Sequence, residues 1–255
     1  MTAGPGLAAR RDPSTLSAAL GALAELEFRL GDWPAAHDAA REALRGARTG
    51  ALRAEVLCGL TRLALIEAGM GRERECRTHA GEALRLAAEL GDRPMEALAG
   101  EALGLLELGL GRLDAAIERL EAVGRMCGGC TLSWASDLAD ARVRRGDLAG
   151  ARRVLNGVEA GRRPNCVQLA ALERSRAMLA PRHAYGRLFT RTLELCAWSR
   201  QPFELARTEL CFGERLRRAR RRREAETHLA AALEVFEELT ARPWAERARR
   251  ELAAA

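Results

Sequence analysis

The sequence predicts an all-α protein, an α-solenoid of about six stacked helical hairpins with a C-terminal capping helix. Three observations predict it. Strand-favouring residues are scarce: aromatics make up 4% of the 255 residues and isoleucine occurs only at Ile66 and Ile117, while Ala, Leu, Arg, Glu and Gly dominate. Apolar residues recur at helical spacing, as in the stripes Leu20, Leu23, Leu26, Leu30 and Ala36, Ala40, Ala43, Leu44. Gly31, Gly71 and Gly111 stand 40 residues apart inside matching surroundings.

The first three hairpins follow from that period. LAELEFRL (23–30), LALIEAGM (63–70) and LGLLELGL (103–110) precede the glycines, with Leu23/Leu63/Leu103 and Glu27/Glu67/Glu107 in register. Each glycine supplies the positive φ that ends a first helix. Ala36, Cys76 and Ala116 follow five residues on, and Ala43, Ala83 and Val123 seven residues later, so small side chains let the second helix approach closely. Neither helix can bury its stripe alone, and the units must therefore stack. Gly146-Asp147 divides a fourth unit, and a degenerate fifth runs from Cys166 to Trp198 with an irregular turn at Pro181-Arg182. A sixth opens at Pro202, a favourable first-turn residue, and carries arginine in place of its turn glycine. These readings give units over 14–48, 51–90, 94–126, 131–158, 166–198 and 202–239. A capping helix follows over 243–254, and residues 1–13 form a disordered lead-in.

Small residues near positions 8, 20 and 27 of each unit make this pattern resemble the tetratricopeptide repeat. The segment PFELARTELCFGERLRRARRRREAETHLAAALEVFEELTARPWAERARREL (202–252), together with ALGLLELGLGRLDAAIERLE (102–121), resembles the repeat region of large ATP-binding, MalT-like LuxR-family transcriptional regulators. That resemblance implies a noncatalytic sensor or interaction module, binding an effector or a protein partner in the solenoid groove. In that family a nucleotidase domain precedes the repeats and a LuxR-type helix-turn-helix follows them. Neither is expected within these residues, so DNA would be reached only through a helix-turn-helix domain outside them. The alternative is a stand-alone scaffold for protein-protein interaction unrelated to transcription.

Composition removes several enzyme classes. All 41 basic residues are arginine. Without lysine there is no P-loop, no Schiff base for pyridoxal chemistry and no lysine nucleophile. No cofactor is expected. The longest stretch free of charge is the 12 residues from Pro13 to Ala24, too short to span a bilayer. With no hydrophobic signal core and an odd set of seven cysteines, the expectation is a cytoplasmic protein with reduced thiols.

The remaining signals read as structural. Cys127-Gly-Gly-Cys130 has metal-ligand spacing but lacks a second pair or a nearby histidine. The run GERLRRARRRR (213–223) carries seven arginines without interleaved aromatics for base stacking, and reads as a solvated face. Glu27, Glu67 and Glu107 read as a ladder pairing with arginines on neighbouring helices. The four histidines suggest no triad or metal site. With each turn glycine set at repeat position 15, the groove-facing residues of the first helices are Phe28, Arg29, Leu65, Glu101, Leu105, Asp140, Arg144, Arg174, Arg207 and Arg217.

Overall fold

The structure, a computed structural model, describes residues 13–126, 133–159 and 165–255. The lead-in read from the sequence, apart from Pro13, lies outside the described residues, as do Cys127 and Cys130. Among the described residues there are thirteen α-helices and no strand. They run α1 (Pro13–Leu30), α2 (Trp33–Thr49), α3 (Arg53–Met70), α4 (Glu73–Leu90), α5 (Arg93–Gly109), α6 (Leu113–Met126) and α7 (Ser133–Arg145). Then come α8 (Leu148–Glu159), α9 (Cys166–Leu179), α10 (Tyr185–Trp198), α11 (Pro202–Arg218), α12 (Arg222–Glu238) and α13 (Arg242–Ala253). No helix among the described residues is long and apolar enough to cross a membrane.

The fold is an all-α solenoid, and its core follows the repeat pattern. Ala36, Cys76 and Ala116 are wholly buried, as are Ala83 and, nearly so, Val123. Gly31, Gly71, Gly111 and Gly146 all take positive φ at their turns. In the sixth hairpin Arg220 adopts the left-handed conformation (φ +61°), so the substituted turn keeps the geometry at a cost of about 1–2 kcal/mol.

The apolar stripe of α1 differs from expectation. Leu23, Leu26 and Leu30 are 43%, 54% and 55% exposed, whereas their equivalents Leu63, Ile66 and Met70 are buried. Inner helices have neighbours on both sides. α1 packs instead through Ser17 and Ala24, with Phe28 half-buried on the same face.

The solenoid winds until its last helices meet its first turns. Pro202 of α11 lies against Gly31, and Pro243 of α13 against Gly71, while Trp244 lies against Gly109. An aromatic seam joins the two ends: the Trp33 and Phe203 rings are 5.0 Å apart, and Phe203 meets Trp244 edge-on at 5.4 Å. The helix read as a cap thus also covers the turn of the second hairpin and the end of α5 in the third.

Gly71 and Gly91 separate backbone strain from closure. Both have positive φ (+74° and +69°), but a Cβ on Gly71 would stand 2.3 Å from Pro243 Cγ, whereas one on Gly91 meets nothing within 4 Å. Gly91→Ala should cost about 1–2 kcal/mol from backbone strain alone, and Gly71→Ala about 1–3 kcal/mol more from overpacking. Denaturant midpoints of the two variants check this, and equal midpoints would mean that α13 does not rest on that turn.

Candidate functional site

The first helices of the hairpins line the inside of the superhelix. There they enclose a half-open cavity of about 380 Å³. Its apolar wall includes Phe28, Leu65, Ile66, Leu98, Leu105 and Phe203. Each charged residue in it is placed by its own helix. Glu25 and Arg29 on α1, with Arg62 on α3, form one side, where Arg29 Nη2 and Glu25 pair at 2.7 Å. Glu101 on α5 accepts the backbone N–H of Trp134 at 3.3 Å, in the first turn of α7, where a carboxylate meets the positive helix end. Asp137 on α7 and Glu204 and Arg207 on α11 complete the lining. At the rim, Asn165 and Gln168 form a capping box that starts α9.

Behind that lining lies a buried ion network. Arg207 is 3% exposed. Its guanidinium donates to Asp137 at 2.6 Å and to Glu204 at 3.4 Å, and stands 3.5 Å from Asp140. The same group stacks over the Trp244 ring at 4.7 Å. Arg174, fully buried, pairs with Glu204. Arg247 on α13 lies 3.8 Å from Asp140 and donates to Glu214 at 2.8 Å.

Asp140 is the hub. Burial alone would raise its pKa, but Arg247, Arg144, Arg207 and Arg174 together hold it down to about 2. Its oxygens make no hydrogen bond, so this is attraction between charges at 3.5 Å or more. Asp137 behaves oppositely: burial, together with repulsion from Glu204, raises its pKa despite Arg207.

Of the ten residues read as groove-facing, the structure brings six together around the cavity: Phe28, Arg29, Leu65, Glu101, Leu105 and Arg207. Asp140 and Arg174 lie in the ion network with no exposure. Arg144 donates to the Leu108 carbonyl at 2.9 Å, and Arg217 pairs with Glu251 at 2.7 Å. The winding that brings α11 and α13 inward fills this half of the groove with paired charge. Sequence reasoning missed Asp137 and Glu204, which stand three residues before Asp140 and Arg207 and so share their helix faces.

The glutamate ladder exists, with different partners. Glu107 pairs with Arg77 at 2.6 Å, as expected. Glu67 instead receives His37 at 3.2 Å and His79 at 2.8 Å. His37 and Arg77 are the same repeat position, so each rung reaches back into the preceding unit. Burial would raise the pKa of Glu67, and the two histidine hydrogen bonds more than offset it, leaving it lowered. Glu27 heads the first unit, and its buried Oε2 has no hydrogen-bond partner.

Other candidate chemistry is absorbed by packing. Within the arginine run, Arg218 pairs with Glu214, Arg221 with Glu224, and Arg215 lies over the Tyr185 ring. Cys76, Cys196 and Cys211 are buried free thiols, and burial pushes them up to about 12, 11 and 12. Among the described residues no group of His, Cys, Asp and Glu is placed to hold a metal ion.

No family model matches this chain, and no curated protein matches it. Among solved structures it is similar to a Rap protein complexed with competence and sporulation factor. The two are 12% identical with a TM-score of 0.64, over 95% of this chain and 75% of that one. The likeness shows the fold, a tetratricopeptide-like helical repeat.

Asp140 yields a prediction with a definite sign. Its folded-state pKa lies below the ordinary value of 3.8, so its stabilisation is present above pH 3.8 and lost as the pH falls towards 2. Asp140→Asn should destabilise the protein at pH 7 by about 2–3 kcal/mol, because Arg207 and Arg247 keep Asp137, Glu204 and Glu214 but lose the buried charge between them. It should also flatten the loss of stability between those two pH values. Denaturant midpoints over that range check both, and an unchanged profile would remove Asp140 from its place as hub.

Proposed function

We propose that this chain is a noncatalytic sensor or interaction module that takes an effector, or a short segment of a protein partner, inside the superhelix. The observation that carries this is the interior cavity, whose apolar wall and convergent charged side chains have the make-up of a ligand site. Its volume of about 380 Å³ suits a small molecule or a few side chains and is too small for a docked helix. That the structurally similar Rap protein was solved with competence and sporulation factor supports a binding role.

The finer proposal is that the module belongs to a cytoplasmic LuxR-type transcriptional regulator of the large ATP-binding, MalT-like kind. The resemblance of residues 202–252 supports it. The second reading is a stand-alone scaffold. In either setting Arg207, which lines the cavity and also stacks on Trp244 of α13, gives occupancy a physical path to the last helix. A neighbouring reading frame encoding a nucleotidase or a helix-turn-helix would favour the regulator, and its absence the scaffold.

The binding claim is tested by thermal shift against a library of metabolites and tri- to pentapeptides. A ligand at a hundred times its Kd should stabilise the folded protein by about 2.7 kcal/mol. Leu65→Trp, which fills the cavity from its half-buried wall, should abolish that shift. If every stabilising ligand worked equally well on Leu65→Trp, the interior cavity would not be the site.

A further inference from the structure

A second recess, of about 280 Å³, lies where α6, α7, α11 and α13 converge, and nothing in the proposed function uses it. Leu113, the first residue of α6, forms part of its wall. Four guanidiniums face it, from Arg144, Arg218, Arg247 and Arg250, against the two carboxylates Glu214 and Glu251.

Both carboxylates are already engaged. Glu214 accepts from Arg247 at 2.8 Å and from Arg218 at 3.2 Å, and Glu251 is held at 2.7 Å by Arg217, which is not part of the recess lining. Arg144 donates to the Leu108 carbonyl at 2.9 Å and Arg250 to the Glu246 carbonyl at 3.3 Å, both neutral acceptors. Over the lining itself, four guanidiniums against two carboxylates leave a surplus of two positive charges, with Asp140 behind them 3.8 Å from Arg247. Burial first, and then the nearby Arg247, push Arg144 down to about 10, outweighing the pull of Asp140 and Glu214.

The recess reaches the turn before α6, where Arg144 Nη2 lies 3.7 Å from the point at which a Cβ on Gly111 would stand, and the first-turn Asp114 of α6 is paired with Arg145 at 2.8 Å.

We propose that this recess binds the phosphate dianion of a small phosphorylated metabolite. A dianion matches the two surplus charges. Guanidinium forks match the tetrahedral oxygens with paired hydrogen bonds, and Leu113 offers apolar surface to a small organic body. A single recess of this volume cannot follow the row of phosphates that a nucleic-acid duplex presents.

Isothermal titration with inorganic phosphate, glycerol 3-phosphate and sodium chloride at matched ionic strength tests this, with a short DNA duplex as a fourth arm. Glycerol 3-phosphate should bind saturably at one site. Inorganic phosphate binding as tightly would make the free ion the ligand and overturn the assignment to a metabolite. Arg250→Gln, at an exposed position, should weaken binding at least tenfold, as should Arg144→Lys, which keeps a charge and a donor but loses the fork. Arg29→Gln, at the interior cavity, should leave it unchanged. Circular dichroism confirms that the variants are folded. Heat indistinguishable from chloride, or an affinity untouched by Arg250→Gln, would overturn the proposal. So would tighter, steeply salt-dependent binding of the duplex, which would give the recess to nucleic acid.

Discussion

Arg207 holds the last hairpin and the last helix against α7 in one register. Its guanidinium binds Asp137, 70 residues earlier in the chain, and leans on Asp140 of the same helix while stacking on Trp244 of the last one. Such a buried arrangement adds modest net stability, because desolvating the charges costs nearly as much as their attraction returns. Its effect lies in specificity: a slip of α11 against α7 would strand charges with no exposure. The interior cavity follows from it, since the same side chains that close the winding form the cavity's polar wall.

Closure and repetition are separate constraints. Repetition is local, set by small residues at each helix crossing and by rungs such as His37–Glu67 and Arg77–Glu107 that reach back one unit. Histidine in place of arginine at one rung keeps the carboxylate partnered. Closure has no repeat: it combines the Arg207 ion network with Pro202 and Pro243 meeting the turns at Gly31 and Gly71.

That difference decides what was legible in the sequence. The hairpins could be read because their signals, turn glycines and small residues, recur at 40 residues and act within one unit. Phe28, Leu65 and Glu101 could be placed on the inner face because inner faces are set by helical register. The fate of Asp140, Arg174 and Arg144 could not, because it depends on how tightly successive units wind, a sum of small rotations that no single unit encodes. The exposed stripe of Leu23, Leu26 and Leu30 has the same origin: its pattern is that of an inner unit, and only its place in the stack exposes it.

The central claim is that an ion pair across the winding, rather than local stacking alone, positions the last helices and the cavity. A double-mutant cycle on Arg207→Gln and Asp137→Asn tests it most directly, read from unfolding free energies at neutral pH. The account predicts a coupling of about 1–3 kcal/mol, the range for contacting residues in one charged network. Additive effects within about 0.5 kcal/mol would show that the two residues act independently and that closure rests on something else.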